Sequence, residues 1–303
     1  MNVRTAFPLT LCAFVLLLIT QVANAQMSST NYRIDWDVIN AGGSDSSSSA
    51  SYQLRDSIGG VAEGNSTSTS YSFDAGHRGG IYDRVVDFNL YLQDRSSQVG
   101  SSALSGTTVT IASTSGFSAD QMVAIVQDEG ASQSTAIGKI TSVSGSDLII
   151  DSLSGDSLTI DGSNDVVYRL NASSLSLGTL TGSSVATSIV AWEASGDVDS
   201  GFDIYISEDT DLIDGSNTIT DVSDGAVTAG STEYGARASD SSITSSTFDT
   251  QDTAITTTLA AIATESASIF ASRNFITLKA GMTSSQTDGS YSHVLTVLYV
   301  GNY

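Results

Sequence analysis

The residues best suited to chemistry in this sequence are acidic side chains on both sides of the segment 202–207. They are Asp197, Asp199, Glu208, Asp209, Asp211 and Asp214. Calcium takes about six to eight oxygen ligands, which carboxylates and loop carbonyls can supply. The spacing matches neither the EF-hand loop nor the RTX nonapeptide repeat, and acidic turns are often only solvated. The sequence predicts a calcium site here, with solvated acidic loops as the alternative.

A second motif matches the nucleophile block of the GDSL esterases. It is the tetrapeptide 155–158, whose serine would need a histidine base oriented by an acid. The one Asp-x-x-His block, Asp74 to His77, precedes that serine, and His293 has no aspartate three residues before it. Two histidines so far apart, in a mature chain without cysteine, also make a poor zinc site. We therefore expect no catalysis.

Aromatic side chains offer a third kind of chemistry, the stacking of a carbohydrate. The chain has 2 Trp and 11 Tyr. Most aromatic residues of β-rich proteins lie in the core or in cross-strand pairs, and Trp192 alternates inward with Val190. A glycan site is an alternative for which the sequence names no residues.

The N-terminus has the pattern of a secretory signal peptide. Arg4 precedes the apolar run 9–19, and Ala23-Asn24-Ala25 forms a small-x-small cleavage site before Gln26. Residues 1–25 are predicted to be removed on export, and the apolar run is short for a membrane span. The single cysteine, Cys12, lies in this segment, so the mature chain cannot form a disulfide.

The charge of the mature chain limits its partners. One of the 11 basic residues lies in the signal peptide, which leaves 10 against 33 acidic residues and a net charge near −23. Nucleic acids and anionic lipids would be repelled. We expect a secreted protein with no nucleic-acid partner and no membrane insertion after cleavage.

Residues 26–82 contain a repeat led by tyrosine. Three segments, which begin near residues 31, 51 and 70, share a small-Tyr-polar-apolar-polar pattern and are separated by Gly/Ser stretches. The pattern predicts short strands that could pair with another chain, with a flexible linker as the alternative. The residues predicted to mediate assembly are Tyr32, Ile34, Tyr52, Leu54, Tyr71 and Phe73.

The rest of the chain is predicted to be all-β. Short strands at close spacing over 100–170, with a hairpin turn at Gly145-Ser146-Asp147, predict a small inserted β-barrel. Longer alternating strands over 85–99 and 171–303 predict an immunoglobulin-like β-sandwich. The last strand, 294–300, is apolar on both faces and is expected to be central to a core. The segment 253–270 is predicted as strand-turn-strand, with a helix as the alternative.

Several segments resemble uncharacterised secreted β-sandwich surface proteins of candidate-phylum bacteria. The segments are 177–181, 201–205, 214–219, 233–235 and 288–297. The ending is also distantly similar to fimbrial, spore-coat-like and WxL-type surface domains, although Leu295-Thr296-Val297-Leu298 lacks the Trp-x-Leu element. The resemblance implies a surface β-sandwich and supplies no catalytic residues.

These observations predict a secreted structural protein, a subunit of an extracellular filament or surface assembly. Its expected partners are further copies of itself or other surface proteins. The alternative is a monomeric adhesin or cell-wall-binding module, for which solvent-exposed aromatics on one sheet face would be the distinguishing sign.

Overall fold

The computed structural model describes residues 86–196, 198 and 200–302, together with the strand backbone of six segments between residues 27 and 75. The chain divides into two compact units, Met1–Asp83 and Arg84–Tyr303. The described residues form strands, with one short 3-10 turn at Arg95–Ser97 and no α-helix. The predicted all-β class is therefore confirmed. No helix among the described residues is both long and apolar enough to cross a membrane.

Twenty-two strands make up the described structure. The first unit contains β1 Met27–Ser28, β2 Arg33–Ile34, β3 Gly42–Ser48, β4 Gln53–Ile58, β5 Gly64–Thr67 and β6 Ser72–Ala75. The second begins with β7 Val86–Leu92, β8 Val99–Ser105, β9 Thr108–Ile111, β10 Met122–Gln127, β11 Ser134–Ser144, β12 Asp147–Ile150, β13 Ser154–Gly155 and β14 Val166–Arg169. It continues with β15 Ala186–Gly196, β16 Phe202–Glu208, β17 Leu212–Asp214, β18 Asn217–Asp221, β19 Glu233–Ala238, β20 Ala260–Glu265, β21 Ile269–Gly281 and β22 Leu295–Gly301.

The first unit contains three antiparallel strand pairs. β1 pairs with β2, β3 with β4 and β5 with β6, so each tyrosine-led segment supplies the second strand of a pair. Ile34, Leu54 and Phe73 lie in these second strands. The three tyrosines of the assembly prediction, at 32, 52 and 71, lie outside the described residues, as does the predicted signal peptide.

In the second unit, two sheets share one hydrophobic core. The larger has the order β17-β18-β19-β21-β15-β7 and the smaller has the order β20-β16-β22. Strand β16 shows why they pack together, because Phe202, Ile204 and Ile206 alternate inward with polar residues that point outward. Trp192 and Phe248 also lie in this core. The arrangement is consistent with a β-sandwich, while its immunoglobulin-like topology stays a prediction.

Strands β8 to β14 form the other sheet of the second unit, which we call the closed sheet. Its strands pair in the order β10-β14-β8-β9-β12-β11. Strand β11 also pairs with β10, which closes the sheet. Val109, Val123 and Leu148 fill its interior. The predicted hairpin turn is present, since β11 ends at Ser144 and Gly145 adopts a φ of +62° before β12 begins. That this segment is an inserted domain stays a prediction.

The closed sheet packs against the outer face of β15 and β21. Ile189, Ala191 and Phe275 contact Met122, Ile137 and other residues of the closed sheet. The alternate residues of β15, such as Trp192, face the core between the other two sheets. Both faces of β15 are therefore buried, which explains the continuous apolar run 189–192.

Two local predictions have opposite outcomes. The segment 253–270 contains β20, a bend and the start of β21, in agreement with the strand-turn-strand prediction. The β-branched residues 255–258, on which that prediction depended, precede β20. The prediction that the final strand is central is wrong. β22 pairs with β16 alone among the described residues, and its burial alternates along its length. Apolar side chains on both of its faces therefore do not reflect burial on both faces.

Candidate functional site

The two sheets that share a core, which together we call the double sheet, each end in an edge strand on the same side of the second unit. Among the described residues, β7 pairs only with β15 and β22 pairs only with β16. The two strands approach each other where the Phe88 and Tyr299 rings lie 5.8 Å apart. This side of the double sheet therefore presents two free strand edges to solvent, each with unused backbone hydrogen-bonding groups.

A cleft of about 960 Å³ opens between these two edges. Leu90 and Leu92 of β7 line one wall, and Leu295 and Val297 of β22 line the other. Core residues of the inner strands, such as Leu278, form the floor. The connecting segments 173–180 and 287–294 complete the lining. They contribute serine and threonine residues together with leucines and Tyr291, which pack against the core. The apolar side chains of β7 and β22 that line the cleft are half-buried or exposed, whereas Leu278 in the floor is 1% exposed.

Three carboxylates converge near the end of this cleft. Oxygen atoms of Glu208, Asp211 and Asp221 all lie within 4.8 Å of one another. Glu208 ends β16, Asp221 ends β18 and Asp211 lies in the turn between β16 and β17. The cluster therefore joins the smaller sheet to the larger one, at the point where the chain crosses between them.

The carboxylates of this cluster lack compensating positive charge. In residues 86–302 the ion pairs of lysine and arginine involve other acids. Burial, together with the charges of Asp221, Asp211 and Asp209, raises the pKa of Glu208 to about 8. Burial and Asp211 raise the pKa of Asp221 to about 6. Burial, and after it the like charges nearby, therefore disfavours the ionised forms of Glu208 and Asp221.

A tyrosine and a histidine border the cluster on its buried side. Tyr234 is the register partner of Asp221 in the parallel pair β18–β19, and its side chain is 1% exposed. Its hydroxyl has no hydrogen-bond partner among the described residues. Burial and the charges of Glu208 and Asp221 raise the pKa of Tyr234 above its ordinary value. The phenol is therefore neutral and close to both carboxylates.

His293 links the cluster to the cleft. Its ring packs edge-on against Tyr234 with centroids 5.0 Å apart, and both residues line the cleft. Nδ1 lies 3.1 Å from the carbonyl oxygen of Thr210 and 3.0 Å from Oε2 of Glu208. Because a carbonyl can only accept, Nδ1 carries the proton and donates it to Thr210. Burial lowers the pKa of His293, so the ring is neutral at pH 7.

The residues predicted as calcium ligands separate into three groups in the structure. Glu208 and Asp211 belong to the cluster. Asp209 instead accepts a hydrogen bond from the backbone N–H of Val294 at 2.8 Å, and Asp214 lies in β17 outside the cluster. The other two predicted ligands, Asp197 and Asp199, lie outside the described residues.

Sequence reasoning missed Asp221 and Tyr234, although a signal for the first was present. Asp221 shares a strand face with the buried Ile219, just as Glu208 shares a face with Ile206. A carboxylate at an inward-facing position of an alternating strand is unusual, because burial disfavours its charge. The two inward-facing carboxylates, Glu208 and Asp221, could therefore have been predicted to lie near each other. The proximity of Tyr234 depends on the parallel pairing of β18 with β19, which no local sequence pattern indicates.

The remaining sequence motifs have structural surroundings. In the GDSL-like block, the Asp156 carboxylate accepts a hydrogen bond from the backbone N–H of Thr135 at 2.8 Å. Trp192 is buried, and every described tyrosine is buried or half-buried. Among the described large apolar side chains that are exposed, Phe270 is the single aromatic one. The described surface therefore shows no grouped aromatic platform for a sugar.

Comparisons of the chain with protein-family models, with curated proteins and with solved structures each find no match. Its function is therefore inferred from its own residues.

Proposed function

We propose that the chain is a secreted, non-catalytic subunit of an extracellular surface assembly. In this proposal, a strand from residues 26–82 of one copy pairs with the free edge of β22 in the next copy. The observation that carries the proposal is the composition of β22, which has seven residues and no charge in a chain of net charge −22. Edge strands are usually protected from pairing by charged residues or proline.

The outward face of β22 supports association. Leu298 is 41% exposed and Val300 is 37% exposed, and the preceding residue Val294 is 62% exposed. These side chains form an apolar stripe beside unused backbone groups. A strand added along this edge would gain main-chain hydrogen bonds and would cover the stripe at the same time. It would also cover the side of the cleft that β22 borders.

The occupant we infer is a hairpin strand from the N-terminal unit of a second copy. The structure describes these hairpins as two-stranded sheets, and isolated two-stranded sheets are marginal in water. Their second strands carry Ile34, Leu54 and Phe73. A contact between different surfaces of two copies is heterologous, so it extends into a fibre unless its rotation closes a ring.

The test measures the oligomeric state of residues 26–303 by sedimentation velocity and electron microscopy. Leu298→Lys and Val300→Lys place charges on the free edge and are expected to abolish oligomers. Val143→Lys is the matched control, since Val143 is also 37% exposed but lies at the end of β11 in the closed sheet. It should leave assembly intact. A wild-type protein that stays monomeric at high concentration, or edge variants that assemble normally, would contradict the proposal.

The donor strands are tested on the same full chain. Leu54→Lys and Phe73→Lys change the second strands of two hairpins and leave β22 untouched. If a strand from residues 26–82 is the occupant, each variant alone should lose assembly. Its β22 edge should still bind the N-terminal strands of wild-type protein when the two proteins are mixed. Retained assembly in both variants would assign β22 to a different partner.

A further inference from the structure

The acidic cluster has the composition and dimensions of a site for a hard divalent cation. Its three donors are carboxylates of Glu208, Asp211 and Asp221, and carboxylate oxygen is the ligand type that calcium and similar ions prefer. Calcium–oxygen distances are about 2.3–2.6 Å, so two ligands of one ion lie at most about 5 Å apart. The 4.8 Å limit on the distances between the cluster oxygens satisfies this condition.

A cluster of acids is common on protein surfaces, but this one has features that solvated acidic turns lack. Glu208 is 5% exposed. Its Oε2 lies 3.0 Å from Nδ1 of His293, but the Nδ1 proton is directed to Thr210, so this oxygen receives no hydrogen bond in the described part of the chain. Oδ1 of Asp221 is likewise buried without a donor. Buried carboxylate oxygens without donors are costly, because they lose their water without gaining a partner. A bound cation would supply the missing partner to both.

Tyr234 is an independent sign of a ligand at this position. Its hydroxyl has no partner within the described residues, and the neighbouring strand position places it beside Asp221. A neutral phenol there can donate a hydrogen bond to a ligating carboxylate and fix its orientation, as outer groups do in metal sites. His293 cannot take this role, because its Nδ1 proton is directed to Thr210.

We propose that Glu208, Asp211 and Asp221 bind a calcium-class divalent cation, with the Tyr234 hydroxyl orienting a ligating carboxylate. The inference stands apart from the proposed assembly, since it concerns the junction between the two sheets and not the β22 edge. Binding would fix the turn 209–211, whose Asp209 holds Val294 through two hydrogen bonds of 2.8 Å and 3.1 Å. Val294 lines the cleft, so the cation would also stiffen one wall of the cleft.

The experiment titrates the mature chain with Tb³⁺ in chelator-treated buffer and then displaces the lanthanide with calcium. Excitation of a tyrosine next to the ion sensitises Tb³⁺ emission, so Tyr234 makes the site report its own occupancy. We expect saturable emission that calcium abolishes. Asp221→Asn and Asp211→Asn should weaken binding about tenfold or more, because losing a ligand should matter at least as much as losing an outer partner.

Two further variants complete the design. Asp214→Asn changes a nearby acid outside the cluster and should bind like wild type. Tyr234→Phe should lose most of the sensitised emission, while calorimetry still detects calcium binding. Absence of calcium binding to the wild-type chain at millimolar concentration would overturn the proposal. Equal binding by the wild-type chain and by both cluster variants would also overturn it, since the ion would then lie elsewhere.

Discussion

Replacing Lys279 with methionine should strongly destabilise the second unit. Lys279 lies in β21 with its side chain 8% exposed, and its ammonium group lies 2.8 Å from Oδ1 of Asp252, whose side chain is 6% exposed. The same ammonium group donates to the carbonyl oxygen of Ala131 at 2.9 Å. One buried positive charge therefore joins the double sheet to the closed sheet.

The magnitude follows from what the substitution leaves behind. Removing one partner of a buried ion pair costs about 3–5 kcal/mol, because the other charge remains buried and unpaired. Asp252 cannot easily turn to solvent, since its Oδ2 accepts a hydrogen bond from the backbone N–H of Val227 at 2.9 Å. For a unit of this size each kcal/mol lowers Tm by about 2–4 °C. The expected loss is therefore about 6–20 °C.

Urea unfolding followed by tryptophan fluorescence measures this effect, because Trp192 lies in the core. Lys139→Met is the matched control. Lys139 pairs with Glu193 at 3.3 Å but is 29% exposed, so its loss should cost about 1 kcal/mol or less. The double variant Lys279→Met/Asp252→Asn should recover part of the loss, since no isolated charge remains. Equal effects of the two single substitutions would refute the reasoning.

Two other predictions concern β16 and the glycine that precedes it. In metal-free buffer, the free energy of unfolding should fall as pH rises from about 5 to 8, because Glu208, with a folded-state pKa of about 8, binds more protons folded than unfolded in this window. Glu208→Gln should reduce that slope in urea titrations, and an unchanged slope would show that other groups cause it. Gly201→Ala should destabilise by about 3 kcal/mol or more, because Gly201 has a φ of +72° and an added Cβ would overlap the backbone oxygen of Glu265. Gly215→Ala is the control, because Gly215 has a φ of +61° and an added Cβ would meet no other atom. It should cost about 1 kcal/mol of unfolding free energy from backbone conformation alone, and equal costs for the two variants would exclude the clash at Gly201.

Alternation along single strands was enough to predict much of the fold. The inward residues of β16 and the strand character of β7 and β21 follow from period-two patterns, which local sequence contains. The position of β22 does not follow. An apolar strand can be flanked on both sides or can lie at an edge, and the difference depends on partners far away in sequence. The sequence pattern shows which side chains of a strand are apolar. It does not show which other strands cover them.

The candidate site shows the same division. Glu208 and Asp211 are close in sequence, so a local acidic pattern could place them together. Asp221 and Tyr234 join them only through the pairing of β18 with β19. Long-range strand pairing is decided by packing over the whole core, and a single sequence does not display it.

The hydrogen bond from Ala172 N–H to the carbonyl oxygen of Leu92, at 3.1 Å, has a consequence for the order of folding. It joins the two ends of the segment that contains the closed sheet. If that segment folds first, it brings β7 next to β15 and replaces the search of a long flexible loop, whose closure entropy grows with length. β22, synthesised last, has no such aid and must find β16 across the intervening chain. We therefore expect β7 to dock early and β22, across the cleft from it, to dock last. The β22 edge would then become available for pairing only after the rest of the unit has formed.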